Sequence, residues 1–202
     1  MNSLRKMMEQ LNIEDADHKC QTLERYMEGV LDWNEKVNLT AITDRREFVK
    51  KHFMDSLLCA ESLAVTDASL ICDVGTGGGF PGVPLAVCFP EKEFVLIDSL
   101  AKRIRIVNEL CAQCGIKNVT AVHGRAEELA RRQEYRDQFD LCVSRAVASL
   151  PVLSELCLPF VKVGGKFISY KSDKGSEELK LSDHALSILG GATVKEDIFT
   201  LP

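Results

Sequence analysis

The stretch that most limits what this chain can fold into runs Leu70-Ile71-Cys72-Asp73-Val74-Gly75-Thr76-Gly77-Gly78-Gly79-Phe80-Pro81-Gly82. Leu70 to Val74 is a short apolar run of the kind that forms a buried strand of a parallel sheet. Four glycines follow within five residues, and Pro81 opens a helix-like segment through Pro84-Leu85-Ala86-Val87-Cys88. Strand, glycine turn and helix, in that order, bring backbone close to a nucleotide-like ligand at a helix N-terminus.

Spacing narrows the ligand. A dinucleotide fingerprint counted from Gly75 needs glycine at position 80, where Phe80 stands. Gly77, Gly79 and Gly82 satisfy GxGxxG, but that frame starts late and Pro81 removes an amide where a pyrophosphate needs donors. What remains is Asp73-x-Gly75-x-Gly77-x-Gly79, which resembles motif I of the class I S-adenosylmethionine-dependent methyltransferases. A methionine zwitterion is smaller than a pyrophosphate and carries an ammonium that Asp73 or backbone carbonyls can hold.

Composition sets limits around this site. The 202 residues suffice for one core with a small extension, and 46% hydrophobic residues fit a globular chain. A net charge of −5 argues against general polyanion binding, so any nucleic-acid contact must use a local basic face. No segment approaches the ~18 apolar residues of a membrane span, and the N-terminus lacks a signal-peptide core. Of the eight cysteines, Cys59, Cys72, Cys88, Cys142 and Cys157 lie inside apolar runs, while Cys111 and Cys114 form a single CxxC in a helical pattern. The expectation is a reduced, cytoplasmic protein without a metal site.

Taken in order, residues 1–64 read as a helical N-terminal cap and 65–202 as the catalytic domain. Leu23, Tyr26, Met27, Val30 and Leu31 recur at helical steps, and the helix breaks over 34–40. Asp44 starts the next helix, with Glu47 at capping-box spacing, and Arg45, Arg46, Lys50 and Lys51 make its surface locally basic. From Leu70 onward strands are predicted at 70–74, 94–98, 119–122, 139–144, 166–170 and 192–199. Helices are predicted near 82–88, 101–114, 125–132, 150–161 and 177–189, with Gly164-Gly165 as the turn before the fifth strand. This alternation predicts an α/β fold, a doubly wound, mostly parallel sheet.

Ligands of such sheets sit at the carboxyl ends of the strands. Asp98 ends the second strand, where a carboxylate accepts both hydroxyls of a ribose; it is also well placed to cap the following helix. Ala126 and Glu127 follow the third strand, and Ala126 is small enough to let an adenine edge reach the backbone. Arg145 ends the fourth strand in an otherwise apolar setting and needs a partner: a phosphate, a base edge, a cofactor carboxylate or Asp140. Lys171 follows the fifth strand. The Asp/Asn-Pro-Pro-aromatic motif of exocyclic amine methylation is missing after the fourth strand.

Several segments together resemble one family: Trp33-Asn34-x-x-Val37-Asn38-Leu39-Thr40, His52-Phe53-x-Asp55-Ser56-Leu57, the glycine stretch, Asp98-Ser99-x-x-Lys102-Arg103 and Ser144-Arg145-Ala146. The chain is similar to the bacterial small-subunit ribosomal RNA (guanine-N7) methyltransferase G family, also called glucose-inhibited division protein B. The resemblance implies methyl transfer from S-adenosylmethionine to guanine N7 in small-subunit rRNA or the ribosomal particle, releasing S-adenosylhomocysteine, by a monomer away from membranes. It implies cofactor contact at Gly75, Phe80, Ala126, Glu127 and Arg145; with Asp73, Gly77, Gly79 and Asp98 these make the expected cofactor site. Arg145 and Lys171 correspond to residues near the reacting guanine. Guanine N7 carries a free lone pair, so in-line transfer needs no general base. The alternative is a methyltransferase acting on a small molecule or protein. Two departures from the family pattern stand out: Ser172 replaces the usual glycine after Lys171, and the chain stops at Leu201-Pro202, before the hairpin and seventh strand that family members usually carry.

Overall fold

A computed structural model describes residues 1–61 and 68–200. The boundary expected at residues 64–65 therefore lies outside the described residues. Five parallel strands form one sheet in the order β3-β2-β1-β4-β5: β1 Leu70–Val74, β2 Glu93–Asp98, β3 Val119–His123, β4 Phe139–Arg145 and β5 Val161–Tyr170. β1 is central and buried from Ile71 to Val74, pairing with β2 on one side and β4 on the other. Ile71, Leu96, Leu141 and Val143 are fully buried, each side chain contributing roughly 1.5–3 kcal/mol relative to exposure.

Helices cover both faces, as parallel pairing requires. One face carries the N-terminal helices α1 (Asn2–Gln10) and α2 (Ala16–Asn34), together with α5 (Gly82–Cys88) and α6 (Ala101–Cys114). Their apolar residues share one core with the sheet: Leu23, Tyr26, Met27 and Val30 from α2, and Ile106, Val107 and Leu110 from α6. The other face is covered by α7 (Ala126–Leu129) and α8 (Leu150–Cys157), with Cys72, Cys142, Leu153, Cys157 and Phe160 as its buried layer. α9 (Gly175–Ile188) packs on α8. All eight cysteines are free thiols and buried, five in the first layer and three in the second.

Between α2 and β1 the chain forms α3 (Arg45–Phe48), a π-helical turn (Val49–Met54), α4 (Asp55–Leu57) and a 3-10 turn (Leu58–Glu61). Asp44 caps α3 as expected, its Oδ1 accepting from the Arg46 and Glu47 amides at 3.0 Å. Glu47 pairs with Lys51 at 2.8 Å.

Most strands and helices fall within a residue or two of expectation; the third and fourth expected helices run shorter, and the fifth strand begins earlier. Three readings need correction. The helical reading of 1–64 missed a break over 11–15, where Asn12 and Asp15 take positive φ. Gly164-Gly165 does not precede β5; it lies within it, in a bulge where Val161 pairs with Phe139 and Lys166 with Leu141. Gly164 has φ +83°, open to glycine, and Val163 projects into solvent. The expected sixth strand at 192–199 is irregular. A strand exists by pairing, and this tail pairs with no described strand; Val194 and Ile198 stay exposed on either side of the charged run Lys195-Glu196-Asp197.

Candidate active site

The carboxyl ends of β1 to β4 surround a cleft of about 380 Å³ whose lining includes Gly75, Asp98, Ala126, Glu127, Arg103 and Val147. The strand-end residues Gly75, Asp98, Ala126 and Glu127 are thus brought together from three strands and their loops. Gly75 has φ +78°, and a Cβ there would fall 2.3 Å from Val147 Cγ2. A side chain at this position would be strained at that φ and would push the Val147 side chain aside.

The glycine loop is braced from behind. Asp98 is 5% exposed; its Oδ2 accepts from the Gly77 amide at 2.9 Å and its Oδ1 from the Leu100 amide at 2.9 Å. Arg103 stands 3.7 Å from the same carboxylate. Each carboxylate oxygen retains a further lone pair for a hydroxyl in the cleft. Tyr26 donates its hydroxyl to the Gly78 carbonyl at 2.9 Å, which ties α2 to the loop. Gly79 follows at φ +93°.

Asp73 is fully buried beneath this loop. Its Oδ2 accepts from Thr76 Oγ1 at 2.7 Å and the Gly82 amide at 2.9 Å, whereas its Oδ1 has no partner among the described residues. Burial pushes its pKa up to about 6, against the pull of those two donors.

Arg145 does not pair with Asp140. Asp140 instead accepts from the Ser69 and Leu70 amides and the Ser69 hydroxyl, and pairs with Lys162. Burial alone would raise the Asp140 pKa, but Lys162 and these donors hold it well below the usual carboxylate range. Arg145 reaches the N-terminal helices: Asp55 Oδ2 at 2.6 Å, the Lys51 carbonyl at 2.9 Å and His52 Nδ1 at 3.1 Å. Phe80, 5% exposed, stacks on His52 with centroids 4.3 Å apart, and the Arg145 guanidinium lies 5.7 Å from the Phe80 ring centre. Burial, then the Arg145 charge, pushes the His52 pKa down to about 4.

Lys171 leaves the sheet on the other face. It donates to the Ala148 carbonyl at 2.7 Å and pairs with Glu178 at 2.6 Å, and Glu178 accepts from the Leu150 amide at 2.7 Å. Lys171 therefore ties the loop after β4 to α9. Ala146 in that loop holds φ +56°, an uncommon conformation for a residue with a Cβ.

A family model described as rRNA small subunit methyltransferase G (GidB) matches residues 19–199. The chain belongs to the rRNA small subunit methyltransferase G family. Relatives bearing that name include one from Alkaliphilus metalliredigens, 47% identical over 96% of this chain and 81% of its own length. Another, from Clostridium novyi, is 48% identical over 91% of this chain and 75% of its own. Among solved structures, an O-methyltransferase from Bacillus cereus in complex with SAH superposes with a TM-score of 0.56 at 18% identity, covering 81% of this chain and 79% of that one. The cofactor-bound Rv0187 from MTB gives 0.57 at 17% identity, covering 80% and 77%. At such identity these two speak for the fold alone, that of class I S-adenosylmethionine-dependent methyltransferases.

In this methyltransferase G family member the expected cofactor residues separate into three groups. Gly75, Asp98, Ala126 and Glu127 line the cleft; Asp73, Gly77 and Gly79 build the loop; Phe80 and Arg145 sit in an aromatic and charged cluster beside it. S-adenosylmethionine fits the arrangement on two counts. The orphaned Asp73 oxygen suits a cation, and the small residues Gly124 and Ala126 line the cleft on the side where a flat ring would lie. Residue-by-residue reading missed Val147, the Tyr26 contact to the glycine loop and the Thr40–His52–Asp55 network. Only the network had a visible signal: His52 and Asp55 are three apart, on one face of a helix.

Proposed function

We propose that this chain transfers a methyl group from S-adenosylmethionine to N7 of a guanine in small-subunit ribosomal RNA. The observation that carries the reading is the cleft joining Gly75, Asp98, Ala126 and Glu127, with Arg145 emerging from the same strand end as the cleft residues Ala146 and Val147. The family name of the relatives supports the RNA substrate.

When bound, S-adenosylmethionine supplies an electrophilic methyl group on a sulfonium. Asp98 would accept the ribose hydroxyls, Ala126 and Glu127 would border the adenine, and Asp73, beneath the loop formed by Gly75, Gly77 and Gly79, would supply the negative charge for the ammonium. Phe80 offers an apolar edge that excludes water. N7 needs no deprotonation, so the chain contributes alignment rather than a base. Arg145 holds the substrate strand, and Lys171 sets the loop after β4 near the reacting guanine. The helices of residues 1–61 serve as the RNA-side cap, where Arg46 and Lys50 have no acidic partner among the described residues. The enzyme works as a cytoplasmic monomer, a state sedimentation would measure directly; no described helix is long and apolar enough to cross a membrane.

The test is transfer of label from S-adenosylmethionine to small-subunit particles lacking the modification, alongside naked rRNA. Label recovered as N7-methylguanine is the expected result. Label on another atom, or none with either substrate, refutes the assignment.

A further inference from the structure

Val49–Met54 form the one π-helical turn among the described residues, and Asp55 follows it directly. At the end of the π turn, backbone N–H groups go to the carbonyls of Lys50 and His52. The carbonyl between them, Lys51, accepts from Arg145 Nη1 at 2.9 Å.

Arginine carries five N–H donors and no acceptor. Nη1 uses both of its donors, on Lys51 and Asp55, and Nη2 uses one on His52 Nδ1. Because Arg145 can only donate, His52 Nδ1 must accept, and the neutral ring carries its proton on Nε2. That proton goes to Thr40 Oγ1 at 2.7 Å, and the same oxygen takes the Ile42 amide at 3.0 Å. Stacking on Phe80 with planes 10° apart fixes the ring. The acceptors all come from residues 51–55, at the Nη end of the guanidinium. The donors left over, Nε–H and the second Nη2–H, run parallel along one edge.

That edge discriminates between ligands. Arginine commonly reads guanine by pairing with O6 and N7 together. Here N7 must stay free to accept the methyl group, so such pairing would block the reacting lone pair. Two parallel donors match two oxygens of a phosphate instead.

We propose that His52 and Asp55 are positioning residues for Arg145, holding its guanidinium so that the Nε–Nη2 edge grips a backbone phosphate flanking the target guanine. This inference rests on the RNA reading above. Three variants test it: Asp55→Asn, His52→Gln and His52→Asn. Asparagine places its side-chain oxygen near the Nδ1 position and can accept from Arg145; glutamine cannot.

Asp55→Asn and His52→Gln are expected to lower kcat/KM on particles by about 10- to 100-fold. They should also lower the salt slope of particle binding by about one phosphate contact. His52→Asn should stay within about threefold of wild type, and calorimetric affinity for S-adenosylmethionine should stay within about twofold in all three. Equal activity of the Asn and Gln variants overturns the positioning role. A loss of cofactor affinity instead assigns the edge to the cofactor carboxylate and overturns the phosphate. If wild type methylates no RNA, the RNA reading fails on its own account. The clamp is then judged separately by ¹⁵N NMR of the Arg145 guanidinium, whose Nη rotation should be hindered in wild type and freed in Asp55→Asn. Free rotation already in wild type would remove the clamp.

Discussion

Asp73→Asn isolates the electrostatic cost of the buried carboxylate under the glycine loop. Asparagine keeps the shape and an acceptor for Thr76 and Gly82 but cannot ionise. In the folded protein the Asp73 pKa rises from 3.8 to about 6. The folded state therefore binds a proton more readily than the unfolded chain, and stability falls as pH rises from about 4 through 6. Above that window the ionised carboxylate costs about 3 kcal/mol, two pKa units at roughly 1.4 kcal/mol each. His52 titrates in the opposite sense over the same range, since its pKa falls from 6.5 to about 4 and acid destabilises the folded state. A single-protein pH profile mixes the two, but the difference between wild type and Asp73→Asn cancels His52. Urea unfolding from pH 4.5 to 8 should show the variant gaining on wild type by about 2 of those 3 kcal/mol, most of it between about pH 4.5 and 6 and none above about 7. A difference that stays flat with pH refutes the raised pKa. The variant should also bind S-adenosylmethionine more weakly, because the oxygen offered to the ammonium becomes neutral.

Other perturbations have equally definite outcomes. Gly75→Ala forces φ +78° on a residue with a Cβ and drives it into Val147; a stability loss of about 1–3 kcal/mol by urea unfolding is expected, with cofactor affinity reduced more than about tenfold by calorimetry. Lys171→Met removes the contacts to Ala148 and Glu178; amide exchange should accelerate over 146–150, and cofactor affinity should fall about three- to tenfold. Asn34→Ala leaves the Leu39 and Thr40 amides without the oxygen that serves both, at 2.8 and 3.0 Å; unfolding should become easier by about 2–3 kcal/mol.

The fold was legible where local pattern and tertiary demand agree. Apolar runs for β1, β2 and β4 are buried on both faces, so nothing but a strand serves them. The tail at 192–199 shows the limit: its pattern permits a strand, but pairing is a property of two segments. The bulge in β5 escaped because Gly164-Gly165 reads equally as a turn before a strand or a detour within one. In the site, the glycines and Asp98 were legible because backbone conformation and position along a strand decide them. Arg145's partners were not, since Asp55 lies 90 residues away and meets it only through a helix whose irregular turn no residue type announces. Sequence likewise put Arg145 and Lys171 at one edge without showing that consecutive positions 170 and 171 face opposite sides of the sheet.

The distribution of sulfur offers a chemical clock on each side of the sheet. Thiols that are all buried react with an alkylating reagent only when the structure around them opens. Cys20, Cys88, Cys111 and Cys114 time the opening of the helices over one face, while Cys72, Cys142 and Cys157 time the other. Mass spectrometry of partially labelled protein would then rank the two layers by how often each exposes its interior, with no residue changed and no probe attached beforehand.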